Sequence, residues 1–225
     1  MADEVANLVD LLADETVRAG LSRPRAWWRR RPLLGAAAGV LLAACAVGVP
    51  AAAIDWMAHT GIFGGQGTEV DKSEWIGIDA SDAPDAIRDL YPTWMPLPAG
   101  DSRQDAERTV NALYGRSVQE AQAESPGHVL TQETDIKRMF ESYGRCAWYR
   151  AWVEADSRHD EKSRDLASRR IGEAVEWPAT VSTDGGGVVD HLRAVAEAAS
   201  AGDSSAVAAG YGTEGCAPFT GNLDR

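Results

Sequence analysis

The sequence predicts a mainly α-helical protein, with one transmembrane helix followed by a small extracytoplasmic helical bundle that is closed by a disulfide. Three observations lead to this fold class. Residues 33–54 contain no charged side chain. The chain after residue 75 carries apolar residues at spacings of three and four, which is the period of an amphipathic helix. Cys146 and Cys216 both lie in that later part, and they are expected to pair if it is exported.

Residues 1–31 are predicted to be a cytoplasmic segment that contains one short amphipathic helix. Four apolar residues at helical spacing share one face of this helix, namely Val5, Leu8, Val9 and Leu12. A free helix of this length is marginal in water. The face is therefore interpreted either as a docking site for a cytoplasmic protein or as part of a frayed leader that has no partner.

Residues 32–55 are predicted to contain the transmembrane helix. Leu33 to Ile54 is 22 residues, which corresponds to about 33 Å of α-helix and is enough for the hydrocarbon core of a bilayer. Five arginines precede the stretch closely, and positive charge of this kind is typical of the cytoplasmic end of a span. The N-terminus is therefore expected in the cytoplasm and the C-terminal part outside the cell membrane.

Two cleavage interpretations of the same stretch stay open. "LLAAC", residues 41–45, resembles a bacterial lipobox, in which case Cys45 is lipidated and becomes the new N-terminus. Ala51, Ala52 and Ala53 suit a signal peptidase instead. The long, patterned region ahead of the stretch favours retention, because a cleaved signal has only a short charged region there. All three interpretations place the C-terminal part outside the cytoplasm.

Residues 56–74 are rich in Gly and Thr and are predicted to be a flexible stalk, and residues 75–225 are predicted to be the extracytoplasmic helical domain. The domain opens with the short extended segment "EWIGID" and a helix in "SDAPDAIRDLY". Two longer helices follow, in "RQDAERTVNALYGRSVQEAQ" and "QETDIKRMFESYGRCAWYRAWVEAD". A charged helix then ends before Pro178, and two more helices come after "STDGGG". We expect a bundle of four to six helices.

The disulfide prediction has a consequence for the C-terminal tail. Cys146 lies midway along the longest predicted helix, and Cys216 lies near the end of the chain. The two Cα atoms of a disulfide are about 5–6 Å apart. The tail is therefore expected to lie against the centre of the long helix.

Charge and motif content exclude several classes of function. Residues 55–225 carry 16 basic and 29 acidic side chains, a net charge of −13, and such a surface disfavours nucleic acid. The four histidines stand at no metal-binding spacing, and they are His59, His128, His159 and His191. Neither a serine-hydrolase motif nor a P-loop is present. No catalytic, cofactor-binding or metal-binding residue is therefore predicted.

Aromatic side chains on the longest predicted helix are the remaining candidates for a ligand or partner surface. They are Tyr143, Trp148, Tyr149 and Trp152. Exposed rings of this kind stack on glycans or peptides, whereas at helical spacing they more often belong to a core. Both interpretations stay open at this point.

Five further features lie between residues 59 and 216. They are "HTGIFGG…SEWIGID", "YPTWMPLPAG", "RCAWYRAWVEA", "TVSTDGGGVVDHL" and the "GC" near the C-terminus. Together these segments resemble an uncharacterised group of actinobacterial membrane-anchored proteins. The resemblance implies an outer domain with a cysteine pair, and it implies no catalytic motif.

These features predict a single-pass membrane protein whose non-catalytic outer domain serves interaction or sensing, in a regulatory or signalling role. Its partners are expected to be membrane lipid, a cytoplasmic protein bound through residues 1–20, or an envelope protein bound through the outer domain. The alternative is an envelope glycan- or peptide-binding lipoprotein, or a cell-wall enzyme, that uses an aromatic cleft.

Overall fold

The structure, a computed structural model, describes residues 57–64 and 71–223. The strands are β1 His59–Phe63, β2 Glu74–Gly77 and β3 Leu130–Gln132. The helices are α1 Ala83–Asp89, α2 Arg103–Glu124, α3 Glu133–Ser157, α4 Glu161–Ala174, α5 Pro178–Ser182, α6 Val188–Ala201, α7 Ser204–Thr213 and α8 Ala217–Thr220. The prediction of a mainly helical domain is confirmed.

The predicted cytoplasmic segment and the predicted membrane span lie outside the described residues. The same holds for the docking face Val5, Leu8, Val9 and Leu12 and for the candidate lipidation site Cys45. Among residues 57–64 and 71–223, no helix is both long and apolar enough to cross a bilayer.

Helix α3 is the central element of the described domain. Helices α2, α4, α5, α7 and α8 all pack against it. Between Phe140 and Tyr149 every residue except Ser142 is buried, so this part of α3 is covered on all sides. A helix with apolar residues around most of its circumference belongs in the interior of a domain, and α3 follows that rule.

Polar side chains cap the N-termini of three of the helices. Ser102 accepts a hydrogen bond from the Asp105 N–H at the start of α2. Asp160 and Asp203 do the same for α4 and α7. Such caps satisfy a backbone donor that has no partner inside the helix.

The strands form one antiparallel sheet in the order β1-β2-β3. The stalk prediction for residues 56–74 is therefore wrong where the chain is described, because residues 59–63 form β1. The cause is the buried carboxylate of Glu74. It accepts a hydrogen bond from the Gly61 N–H at 2.7 Å, and its other oxygen lies 2.9 Å from His59 Nδ1. The Trp75 indole N–H also donates to the Gly64 carbonyl.

The predicted disulfide is confirmed. Cys146 in α3 and Cys216 just before α8 are bonded, with their Cα atoms 5.3 Å apart. Both cysteines are buried. The bond holds the C-terminal tail against the middle of α3, where the Arg150 guanidinium also donates to the Thr220 carbonyl.

Candidate functional site

The four aromatic residues proposed as a ligand surface are all buried in the core: Tyr143, Trp148, Tyr149 and Trp152. Trp148 donates its indole N–H to the Pro96 carbonyl, and Trp152 donates to the Ser168 hydroxyl. The interpretation of these rings as a stacking surface is wrong. The four rings lie between α3 and the elements that pack against it, so no ring face is free for a glycan or a peptide.

The same helix carries a buried carboxylate that the sequence analysis did not single out. Glu141 accepts hydrogen bonds from the Ala179 N–H at 3.0 Å, from the Thr180 N–H at 2.7 Å and from the Thr180 hydroxyl at 2.8 Å. These groups form the N-terminus of α5, which has no side-chain cap of its own. A carboxylate is favoured there by the helix dipole and by the unpaired backbone donors. Glu141 therefore replaces the missing cap from a different helix.

Arg145 lies one turn further along α3 and continues this set of contacts. Its guanidinium donates to the Thr180 hydroxyl at 2.7 Å and to the Ser142 hydroxyl at 3.1 Å. It also pairs with the Glu214 carboxylate at 3.3 Å. Residue Glu214 ends α7, two positions before Cys216. We call Glu141, Arg145, Thr180, His191 and Glu214 the core polar network.

His191 and Tyr149 complete the surroundings of the Glu214 carboxylate. His191 Nε2 lies 3.5 Å from Glu214 Oε1. Three buried polar atoms near this carboxylate make no hydrogen bond, and they are Arg145 Nε, Tyr149 Oη and His191 Nε2. Burial raises the pKa of Tyr149, and the negative charge of Glu214 raises it further, whereas Arg145 acts in the opposite direction. The phenol therefore stays protonated, and the Glu214 carboxylate lies close to Arg145 and His191.

The chemistry of the core polar network is charge pairing between side chains that are buried or partly buried. Every contact of Glu141 goes to α5, and the contacts of Glu214 go to α3 and α6. Arg145 is adjacent in sequence to Cys146, so the network and the disulfide are parallel links between α3 and the end of α7. This arrangement couples the position of the C-terminal tail to α3, α5 and α6.

A second polar cluster joins β1 to β2 at the edge of the sheet. Burial alone would raise the pKa of Glu74, but the hydrogen bonds from His59 and from the Gly61 N–H together hold it below its ordinary value. A carboxylate that accepts several hydrogen bonds is stabilised in its charged form. The hydrogen bonds to the charged Glu74 carboxylate are therefore among the contacts that keep β1 in the sheet.

Sequence reasoning missed these polar residues for identifiable reasons. Glu141 and Arg145 are four positions apart on a helix whose neighbours in sequence are mostly apolar. Charged residues are rarely buried without partners, so this pair was a usable signal for a buried network. Glu214 and His191 carried no such signal, because the folded chain alone brings them to Arg145.

The remaining histidines do not converge on a common site. Within the part of the chain that the structure describes, no group of three or more His, Cys, Asp or Glu side chains is placed to hold a metal ion. Comparisons of the chain with protein-family models, with curated proteins and with solved structures found no match in any of the three. The assignment of a function therefore depends on the residues themselves.

Proposed function

We propose that the chain is a single-pass membrane protein whose disulfide-closed outer domain acts as an interaction or sensing module. The observation that carries the proposal is the buried bond between Cys146 and Cys216. Structural disulfides persist in oxidising compartments and are rare in the reducing cytosol. The bond therefore supports an extracytoplasmic position for the domain.

The uncharged stretch supports the attachment to a membrane. Residues 33–54 are long enough to span a bilayer, and the arginines before them favour a cytoplasmic N-terminus. Residue 57, where the described domain begins, follows the stretch by only three positions. A membrane anchor that is followed by an oxidised extracytoplasmic domain is therefore consistent with both the uncharged stretch and the disulfide.

The proposal assigns interaction or sensing, because the polar groups buried in the domain are engaged in contacts between helices. Glu141 caps α5, Arg145 pairs with Glu214, and the two cysteines are oxidised to each other. Such contacts specify the relative positions of helices. The corresponding partner on the inner side is a cytoplasmic protein that binds the apolar face within residues 1–20, which the sequence places ahead of the anchor.

The position of the domain can be tested with its lysines. All lysines of the chain lie after the uncharged stretch, at Lys72, Lys137 and Lys162. An amine-reactive reagent that cannot cross membranes should label them on intact cells and should leave the segment before the stretch unmodified. Labelling that appears only after the cells are lysed would contradict the extracytoplasmic position.

The interaction role can be tested by purifying the full chain from solubilised membranes. We expect a cytoplasmic protein to co-purify with it and to be lost when Leu8 and Leu12 are both changed to Ser. Val17→Ser is the matched control, because Val17 falls off the apolar face. A co-purifying set that is identical in all three proteins would overturn the docking role of the inner segment.

A further inference from the structure

The three most exposed large apolar side chains of the described residues all belong to residues 57–63, where the described part of the chain begins. Phe63 is 68% exposed, Met57 is 59% exposed and Ile62 is 57% exposed. Ile62 and Phe63 end β1, which is an outer strand of the sheet. We call these three residues the β1 edge. Ile62 and Phe63 are adjacent in the chain, and adjacent exposed apolar side chains are a candidate interaction surface.

The geometry of the β1 edge restricts what can cover it. Successive side chains of a strand point to opposite faces of the sheet, and both Ile62 and Phe63 are exposed. The side chains at the end of β1 are therefore exposed on both faces of the sheet. The interfacial layer of a bilayer can accept the side chains of both faces at once.

We propose that the β1 edge contacts the interfacial layer of the membrane in which the chain is anchored. This inference rests on the proposed function, because it needs the uncharged stretch to remain as an anchor. Ile62 follows Ile54 by eight positions, so the two are at most about 28 Å apart along an extended chain. Met57 follows Ile54 by three residues, at most about 10 Å. The anchor therefore leaves the β1 edge within reach of the headgroups.

The charges near the β1 edge indicate that apolar contact drives this association. Between residues 55 and 74 the chain carries four acidic residues and only Lys72 as a basic one. Anionic headgroups attract clusters of Lys and Arg, and this segment has no such cluster. The contact is therefore expected to be at least as strong on zwitterionic lipid as on anionic lipid.

Site-directed spin labelling of the full chain in phosphatidylcholine nanodiscs tests the inference. Labels go on Ile62→Cys and, separately, on Phe63→Cys, in a Cys45→Ala background, because the other two cysteines are bonded to each other. The control is Val188→Cys, a half-exposed apolar position at the start of α6. We expect the labels at 62 and 63 to be accessible to oxygen and shielded from a water-soluble nickel complex, and the label at 188 to show the reverse.

The outcomes separate this inference from the function on which it rests. Chain that does not enter nanodiscs at all overturns both. Chain that is inserted but has labels at 62 and 63 as accessible to nickel as the label at 188 overturns the membrane contact alone. Spin–spin broadening at 62 or 63 would assign the β1 edge to a second copy of the chain and would also overturn it. Shielding that needs added phosphatidylglycerol would contradict the apolar origin of the contact.

Discussion

Glu141 lies in α3 but accepts hydrogen bonds from buried donors at the start of α5. Its three hydrogen bonds all go to Ala179 and Thr180, and a polar side chain in such a position contributes mainly by preventing unpaired donors. Thr180 in turn accepts from Arg145, which pairs with Glu214. The stability of α5 and the position of the C-terminal tail therefore both depend on contacts that start from one side of α3.

Replacement of Glu141 by Ala should be strongly destabilising. The change leaves the buried N–H groups of Ala179 and Thr180 without an acceptor, and we expect a loss of about 3 kcal/mol in the free energy of unfolding. Urea denaturation of the purified protein measures it. The control is Glu197→Ala on the exposed side of α6, which should change the free energy by less than about 0.5 kcal/mol. Equal effects of the two changes would contradict the assigned role of Glu141.

Glu74 makes the attachment of β1 sensitive to pH. Its pKa in the folded protein lies below the ordinary value of 4.5, so its charged form is stabilised by folding. This contribution is fully present above pH 4.5 and is lost as the pH falls through the lowered pKa. Hydrogen exchange of the Gly61 amide, which donates to Glu74, should therefore lose protection on acidification. In Glu74→Gln the protection should be weaker at neutral pH and should not change in this range.

At the scale of elements, the close approach of α6 and α7 depends on the absence of a side chain at Gly210. A Cβ atom at this position would lie 2.8 Å from both methyl groups of Val195, which is buried. Gly212 lies in the same helix, and a Cβ atom there would meet no atom within 4 Å. The two glycines therefore lie in the same helix, but only Gly210 is packed closely against a neighbouring side chain.

These two glycines predict opposite effects of the same substitution. Gly210→Ala should destabilise the domain by about 1–3 kcal/mol, because a branched, buried side chain has to move. Gly212→Ala should leave stability unchanged or raise it by up to about 1 kcal/mol, because Ala favours a helix over Gly. Chemical denaturation of both variants measures the difference. A loss of the same size in both would contradict the packing of α6 against α7.

The elements that could be predicted from the sequence are those with local signals. Helix α2 has the cap Ser102 and a periodic face, and α3 has a long apolar stripe, so both were expected close to their observed bounds. Strand β1 and helix α5 were not expected, because their stability comes from distant partners. Glu74 holds β1, and Glu141 caps α5 from 38 residues away. Such contacts leave no mark in the local sequence.

At the scale of the whole molecule, the disulfide is the feature that the sequence predicted most specifically. The expectation that this part of the chain is exported and the number of cysteines sufficed for the prediction, because only Cys146 and Cys216 lie after the uncharged stretch. Of the two interpretations of the aromatic residues, their burial supports the core and excludes the stacking surface. Periodicity placed Tyr143 and Trp148 on a helix but did not show that helices surround α3 on every side. Burial of a whole helix is decided by its neighbours.

Loss of the disulfide should loosen the tail without unfolding the domain outright. The bond joins residues 70 apart in sequence, for which the chain-entropy estimate is about 4 kcal/mol. Cys216→Ser should therefore lower the melting temperature and make the segment after residue 213 sensitive to protease. Cys45→Ser is the control and should change neither property of the domain. Protease resistance of the tail in Cys216→Ser would show that the Arg145–Glu214 pair suffices to hold it.

The central claim is that one chain keeps its anchor and carries an oxidised domain outside the cytoplasm. The most direct measurement is the intact mass of the protein extracted from membranes, without reduction and after thiol alkylation. We expect a mass that includes the segment before residue 32, with Cys45 as the single alkylated cysteine and Cys146 bonded to Cys216. A mature species that starts at Cys45 with added lipid, or at Ile54 without it, or a chain in which Cys146 and Cys216 are alkylated, would contradict the account.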